Sequence, residues 1–359
     1  MTKPSSDQPV RKPRNRILLG GCLAGLLLCL VLVFVWVPAR FPSIAYLFQM
    51  LAPDIPPLFP SQPVSVISLQ NIGEVVELKR LSNIGGPIAW SPDSRILATS
   101  RGTTITLWEM PGGRALRTLT LTGYDVVSLA FSPDGKWLAT VNNGSITLWE
   151  TATGRQVRVF GDGIGNVAFS PDGKMLAGAM SKSTAIVCDP ASGKGLRTFS
   201  DPKGLLNDVT VVTFSPNGEM LALGSSRLTL WNVMTGELIK SISANADRGV
   251  FFLENGKYIA SQDGIWEINT DQMFDRFSFA PPIACMTFSP DNSIMAFAQL
   301  PLPGFGPPEI VKLRNATTMA ELRTLGPKNV FCPVAFSPDG KLLATGDGFG
   351  SIKLWGVPR

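Results

Sequence analysis

A turn phrase that recurs around the chain, a turn-rich apolar composition and one long uncharged run predict an all-β fold. The expected form is a seven-bladed β-propeller of four-stranded antiparallel blades, preceded by one N-terminal transmembrane helix. The phrase, Phe-Ser-Pro-Asp-Gly in its fullest form, returns at intervals of 36 to 48 residues, the length of four short strands with their turns. The chain has 359 residues, of which 45% are hydrophobic and only 16% charged, with 35 glycines and 29 prolines. Such a composition suits a packed core joined by many turns and excludes a disordered chain.

The elements follow in chain order. Residues 1–16 hold Lys3, Arg11, Lys12, Arg14 and Arg16 against Asp7, and account for most of the formal net charge of +5. The remainder is nearly neutral, so the composition offers no phosphate-tracking groove and argues against nucleic acid as a partner. Ile17 to Val37 is free of charge and long enough, as a helix, to cross a hydrocarbon layer of ~30 Å. It exceeds the apolar stretch of a cleaved signal peptide, and Val37-Pro38-Ala39-Arg40 is a poor cleavage site. Leu19-Gly20-Gly21-Cys22 resembles a lipoprotein processing site, but the apolar run continues past the cysteine. The basic residues before the span, with Arg40 alone close behind it, place the N-terminus in the cytoplasm and the rest outside. Trp36, Phe41, Tyr46 and Phe48 are suited to the far interface. Residues 38–63, with Pro53, Pro56, Pro57, Pro60 and Pro63, form either a stiff juxtamembrane linker or an irregular lead-in.

The repeat begins after this linker. Its copies are Trp90-Ser91-Pro92-Asp93, Phe131-Ser132-Pro133-Asp134-Gly135, Phe169-Ser170-Pro171-Asp172-Gly173, Phe214-Ser215-Pro216-Asn217-Gly218, Phe288-Ser289-Pro290-Asp291 and Phe336-Ser337-Pro338-Asp339-Gly340. A degenerate copy reads Phe252-Leu253-Glu254-Asn255-Gly256. Serine, proline, aspartate and glycine in that order suit the four positions of a type I turn, with proline presetting the second φ. Each phrase therefore joins a strand a, such as Val167-Ala168-Phe169, to a strand b, such as Met175-Leu176-Ala177. Ile105-Thr106-Leu107-Trp108, Ile146-Thr147-Leu148-Trp149 and Leu228-Thr229-Leu230-Trp231 alternate with period two and mark strand c. Glycine turns at Gly113, Gly154, Gly193 and Gly236 then lead into strand d.

On these residues the chain resembles the WD-repeat family over residues 64–359. The resemblance implies a propeller that displays a loop face to a protein or peptide partner. The family's Trp-Asp ending is altered here to Trp108-Glu109, Trp149-Glu150, Trp231-Asn232, Trp266-Glu267 and Trp355-Gly356, with Cys188-Asp189 and Arg314-Asn315 in the two remaining places. Histidine is absent from the whole chain, so the family's hydrogen-bond network between a Gly-His pair and the tryptophan cannot form. Apolar burial between blades is expected to hold the ring instead. The last repeat stops four residues after Trp355, without room for its strand d. Residues 64–81, in particular Glu74 to Leu81, are expected to supply that strand and close the ring.

Absence of histidine also removes the usual general base and the commonest zinc ligand. Neither cofactor nor metal is expected. Gly161-Asp162-Gly163-Ile164-Gly165 and Gly346-Asp347-Gly348-Phe349-Gly350 lead into strands, so tight turns explain them better than phosphate binding. Asn143-Gly144-Ser145 and Asn315-Ala316-Thr317 match the glycosylation pattern. Cys285 and Cys332 precede the turn phenylalanines of neighbouring repeats at similar distances, which leaves a disulfide between them open.

Function is expected at one end of the ring. The a–b and c–d turns are short and uniform, whereas the d–a and b–c loops at the other end carry the variation in length, and binding residues concentrate on such loops. Tyr124, Lys203, Leu302, Phe305, Lys328 and Phe331 are the candidate partner contacts, aromatic and apolar anchors with lysines at the rim. The expected function is a membrane-anchored, extracytoplasmic, non-catalytic scaffold for a protein or peptide. The alternative is a propeller hydrolase or quinone-cofactor dehydrogenase with carboxylates at the channel mouth.

Overall fold

The Ser-Pro-Asp phrase folds through a single hydroxyl. Ser132 Oγ donates to Asp134 Oδ1 at 2.6 Å and accepts from the Trp137 amide at 2.9 Å, while the Lys136 amide donates to the same Asp134 oxygen at 3.1 Å. The Gly135 amide closes the turn on Ser132 O, and Gly135 itself sits at φ 71°, a left-handed conformation that suits a residue without Cβ. Ser91/Asp93, Ser170/Asp172, Ser215/Asn217, Ser289/Asp291 and Ser337/Asp339 repeat the arrangement.

These turns build the ring in a computed structural model. It describes residues 63–359 apart from 83–84, 143, 162, 181–182, 201–207, 271–272, 277–282, 300–310, 327–329 and 348–349. Blade 1 comprises Ile88–Trp90, Ile96–Arg101, Thr104–Glu109 and Arg114–Thr120 as strands a to d, and blade 2 Val126–Phe131, Trp137–Asn142, Ser145–Glu150 and Gln156–Gly161. Blade 3 is Gly163–Phe169, Leu176–Met180, Thr184–Cys188 and Gly195–Ser200, and blade 4 Val211–Phe214, Met220–Gly224, Leu228–Asn232 and Leu238–Ile242. Blade 5 has the short strands Phe251–Leu253, Tyr258–Ser261, Gly264–Glu267 and Met273–Arg276. Blade 6 is Ile283–Phe288, Ile294–Gln299, Val311–Asn315 and Glu321–Leu325, and blade 7 begins with Val330–Phe336, Leu343–Asp347 and Ser351–Pro358. Blades 1 to 6 are antiparallel four-stranded sheets in which each strand pairs with the next.

Blade 7 draws its outer strand from the other end of the domain. Val76–Ser82 runs antiparallel to Ser351–Pro358, from Val76 opposite Gly356 to Ser82 opposite Ser351. The sequence reading began this strand at residue 64. In the structure Val64–Ser65 is a separate two-residue strand on Val357 and Pro358, and a 3-10 turn at Ile72–Glu74 precedes the closing strand.

Apolar side chains fill the seams between blades. Strand b of blade 6 (Ile294, Ala296, Ala298) packs with Val334, Phe336, Leu343 and Trp355 of blade 7, and comparable clusters occupy the other seams. The strand-c tryptophans belong to this core, and three of them, Trp108, Trp149 and Trp355, donate to Thr99, Thr140 and Thr345 on strand b at 2.8, 3.0 and 2.8 Å. Five basic residues at equivalent positions on strand d, and a lysine on the closing strand, add polar ties between blades. Arg117 donates to Thr153 O and Ala152 O, Arg158 to Ala191 O, and Arg197 to Thr235 O and Met234 O. Lys240 donates to Glu267 O and Ile268 O, Arg323 to Ile72 O and Gly73 O, and Lys79 to Gly112 O. Each cation leaves its own blade and caps carbonyls in the turn before strand d of the next. The expectation of apolar burial alone was therefore incomplete.

Cys285 and Cys332, on the first strands of blades 6 and 7, form a disulfide with Cα atoms 5.8 Å apart. Cys188 is buried and free, and burial pushes its thiol up to about 11, too high for a reactive thiolate. Among the described residues no helix is long and apolar enough to cross a membrane, and the expected span at residues 17–37 lies outside them.

Candidate interaction surface

First strands of blades 6, 7, 1, 2, 3 and 4 contact one another in turn. Bonds across a seam tie these strands at one end. The Asn166 amide donates to Thr210 O at 2.9 Å, and the Val212 amide donates to Asn166 Oδ1, so one asparagine ties the inner strands of blades 3 and 4. Gly165 stands where a Cβ would lie 2.6 Å from Thr210 O, so no larger residue fits this approach without a shift.

Between these strands lies a cavity of about 730 Å³. Val127, Val211, Val212, Phe251 and Phe252 contribute apolar walls, and Asn166, Thr210, Asp247 and Arg248 polar ones. Val127 is 48% exposed, unusual for a β-branched residue on an inner strand. The polar wall is already organised by the protein. Gln262 Nε2 donates to Asp247 Oδ1 at 2.9 Å, the Arg248 amide donates to Gln262 Oε1 at 3.2 Å, and Thr210 Oγ1 donates to Asp247 O at 3.1 Å. The Arg248 guanidinium lies 3.8 Å from Asp247 Oδ1, so the two charges largely compensate each other. Such a wall presents oriented hydrogen-bonding groups with little net charge, next to an apolar floor.

Tyr124 stands in the loop joining blades 1 and 2, 65% exposed. Asn142 Nδ2 donates to Thr122 O at 3.0 Å, and the Val126 amide to Gly102 O at 2.9 Å, so the loop that carries it is fixed at both ends. Lys203, Leu302, Phe305 and Lys328 lie outside the described residues. Phe331 was read as a loop residue; it belongs instead to strand a of blade 7, with its backbone opposite Gly346. The structure thus assembles a site from residues the sequence did not single out, Val127, Thr210, Asp247, Arg248 and Phe251. Their common signal is position, at or just before the start of a first strand.

No group of three His, Cys, Asp or Glu side chains that could hold a metal ion occurs among the described residues. The opposite face is tuned for folding: the Ser170 hydroxyl bonded to Asp172, followed by the Lys174 amide, holds that carboxyl below its ordinary value.

Comparison with protein families identifies two of the repeats directly. The family model described as WD domain, G-beta repeat matches residues 114–150 and 322–356. The first match runs from strand d of blade 1 to the end of strand c of blade 2, and the second from strand d of blade 6 to strand c of blade 7. No curated protein matches the chain.

Proposed function

The chain is a WD-repeat β-propeller, and from that premise we propose that it is a membrane-anchored, extracytoplasmic interaction scaffold. Its partner is a protein or peptide held on the face that carries the d–a and b–c loops. The observation that carries this reading is the cavity between the inner strands of blades 2 to 5, with exposed Val127 on its wall and the Thr210–Asp247–Gln262 bonds at its rim. Recognition sites pair an apolar anchor pocket with a few oriented polar groups, and this cavity has both.

Two further features support the location. The uncharged run at residues 17–37 and the basic residues before it favour a span with the propeller outside. The Cys285–Cys332 disulfide fits an oxidising compartment, where such bonds form and persist. The non-catalytic reading rests on the usual role of the family and on the lack of histidine in the sequence.

The test is capture by crosslinking from the extracytoplasmic side, repeated with Val127→Asp and with Tyr124→Ala. A charge at Val127 is expected to abolish capture of a specific protein while the thermal transition stays in place. Capture unchanged by Val127→Asp would remove the cavity from the reading. Cytoplasmic activity of a reporter fused after Arg359 would overturn the topology.

A further inference from the structure

Blade 6 is tied to the ring differently from every other blade. In the seams 7/1, 1/2, 2/3, 3/4, 4/5 and 6/7 a lysine or arginine on the outer strand caps turn carbonyls of the following blade. All six cations share one register position, opposite the residue just before the strand-c tryptophan or its replacement Cys188 or Arg314: Lys79 faces Leu354, Arg117 Leu107, Arg158 Leu148, Arg197 Val187, Lys240 Leu230 and Arg323 Leu313. In blade 5 that position, opposite Ile265, is Asp275. The turn it would have to reach is built like its counterparts. Asn315 Oδ1 accepts from the Thr317 and Thr318 amides, as Asn232 Oδ1 accepts from Met234 and Thr235 in blade 4, whose carbonyls receive Arg197. Among the described residues no side chain donates to Thr317 O or Thr318 O. Among the described residues the 5/6 seam is packed by Phe251 against Phe288 and by the cluster of Leu253, Ile283, Met286 and Phe297.

The other side of blade 6 is divided. Arg323 reaches Ile72 O and Gly73 O, which belong to the segment leading into the closing strand and not to the three C-terminal strands of blade 7. Those three strands are joined to blade 6 by apolar packing and by Cys285–Cys332. Blade 7 is held to blade 1 as well, through Lys79 to Gly112 O, Trp90 Nε1 to Ala335 O at 3.2 Å and the Asp339 amide to Ser94 Oγ at 3.0 Å. Opening at 6/7 would therefore leave blade 7 with blade 1 and blade 6 joined to the ring through Arg323.

We propose that the Cys285–Cys332 disulfide is a reductant-sensitive clasp on blade 6, whose cleavage loosens that blade ahead of the rest of the ring. Cys332 is exposed and Cys285 half-buried, so the bond is open to attack. A dithiol supplies the chemistry: its thiolate attacks one sulfur to give a mixed disulfide, its second thiol resolves that bond, and two electrons and two protons pass to Cys285 and Cys332 as the reductant becomes a disulfide. Blade 6 then lacks its covalent tie on one side, while on the other the register position that caps the other seams carries Asp275. Cooperative units of a protein open locally according to such differences in anchoring.

The inference stands apart from any partner and is tested without one. Amide hydrogen exchange of the full-length chain in detergent is compared before and after dithiothreitol, and with the Cys285→Ala/Cys332→Ala variant. Exchange in residues 283–288, 294–299, 311–315 and 321–325 is expected to rise at least about tenfold on reduction, while blades 2 and 3 change less than twofold. The double variant should exchange like the reduced protein and ignore dithiothreitol. An unchanged blade 6, or an equal rise in all blades, overturns the clasp. So does digestion of the unreduced protein that yields no peptide pair linked through Cys285 and Cys332. As a second variant Asp275→Arg, which restores the basic cap, should blunt the response to reduction; a response undiminished in a folded Asp275→Arg protein also counts against it.

Discussion

Blades 2 and 5 have the same four-stranded plan and almost nothing else in common. Blade 2 has the full Ser132-Pro133-Asp134-Gly135 turn, a Trp149–Thr140 hydrogen bond and basic caps at both of its seams, Arg117 entering and Arg158 leaving. Blade 5 turns through Glu254 and Asn255, both left-handed at φ 46° and 55°, in strands of only three or four residues, and its outward position is Asp275. Yet Ile259 and Ala260 of blade 5 are as fully buried as Leu138 and Ala139 of blade 2. Local turn chemistry is therefore dispensable for a blade whose neighbours already supply two apolar walls, in line with the nearest-neighbour energetics of repeat proteins.

The sharpest way to break this comparison is to empty both cores. Leu138→Ala and Ile259→Ala each delete a fully buried branched side chain and are expected to lower unfolding free energy by about 3 kcal/mol. A much smaller loss at Ile259, measured by chemical denaturation, would show that blade 5 is loosely packed and that its plan is only outlined. Next in size are the caps. Arg117→Ala removes charged donors from Thr153 O and Ala152 O at an exposed seam and should cost about 1 kcal/mol, while Asp275→Arg should recover a similar amount. Equal thermal midpoints for Arg117→Ala and the parent would mean that the caps orient blades without stabilising them. Glu254→Gly should raise stability by about 1 kcal/mol, because glycine accepts the left-handed conformation that a glutamate resists. A loss in that variant would show that the conformation is held for another purpose.

The smallest effect concerns pH. Asp172 titrates below its ordinary value because of the Ser170 hydroxyl and then the Lys174 amide. A depressed carboxyl contributes stability above its unfolded pKa of about 3.9, and the contribution disappears as pH falls through the folded value. Ser170→Ala should return Asp172 toward the ordinary range in carboxyl-detected NMR titration. Its stability deficit should narrow in acid, and a deficit independent of pH below 5 would assign it to the lost serine bonds alone.

What could be read in advance was whatever repeats along the chain. Ser-Pro-Asp turns and the alternation ending at Trp108, Trp149 and Trp231 are local patterns, so blade number and strand order follow from them. The caps were invisible for a physical reason: Arg117, Arg158 and Arg197 look like ordinary polar positions on an outer strand, and their targets are backbone carbonyls, which leave no mark in the sequence. The candidate site was legible only in part. Tyr124 sits where loop reasoning put it, but Val127, Thr210 and Asp247 meet across blades 2, 3, 4 and 5, and a cavity made by several repeats belongs to none of them.

The closing strand sets the order of events during folding. Val76–Ser82 is synthesised early, but its partner among the described residues, Ser351–Pro358, follows the strands of six intervening blades. Contacts between such distant segments close slowly, because a long loop must be ordered first. Until then two complementary strand edges stand open, one at each end of an otherwise assembled arc. In a dilute solution they find each other. At high concentration the edge of one chain meets the complementary edge of another, and head-to-tail exchange through blade 7 competes with the closed ring.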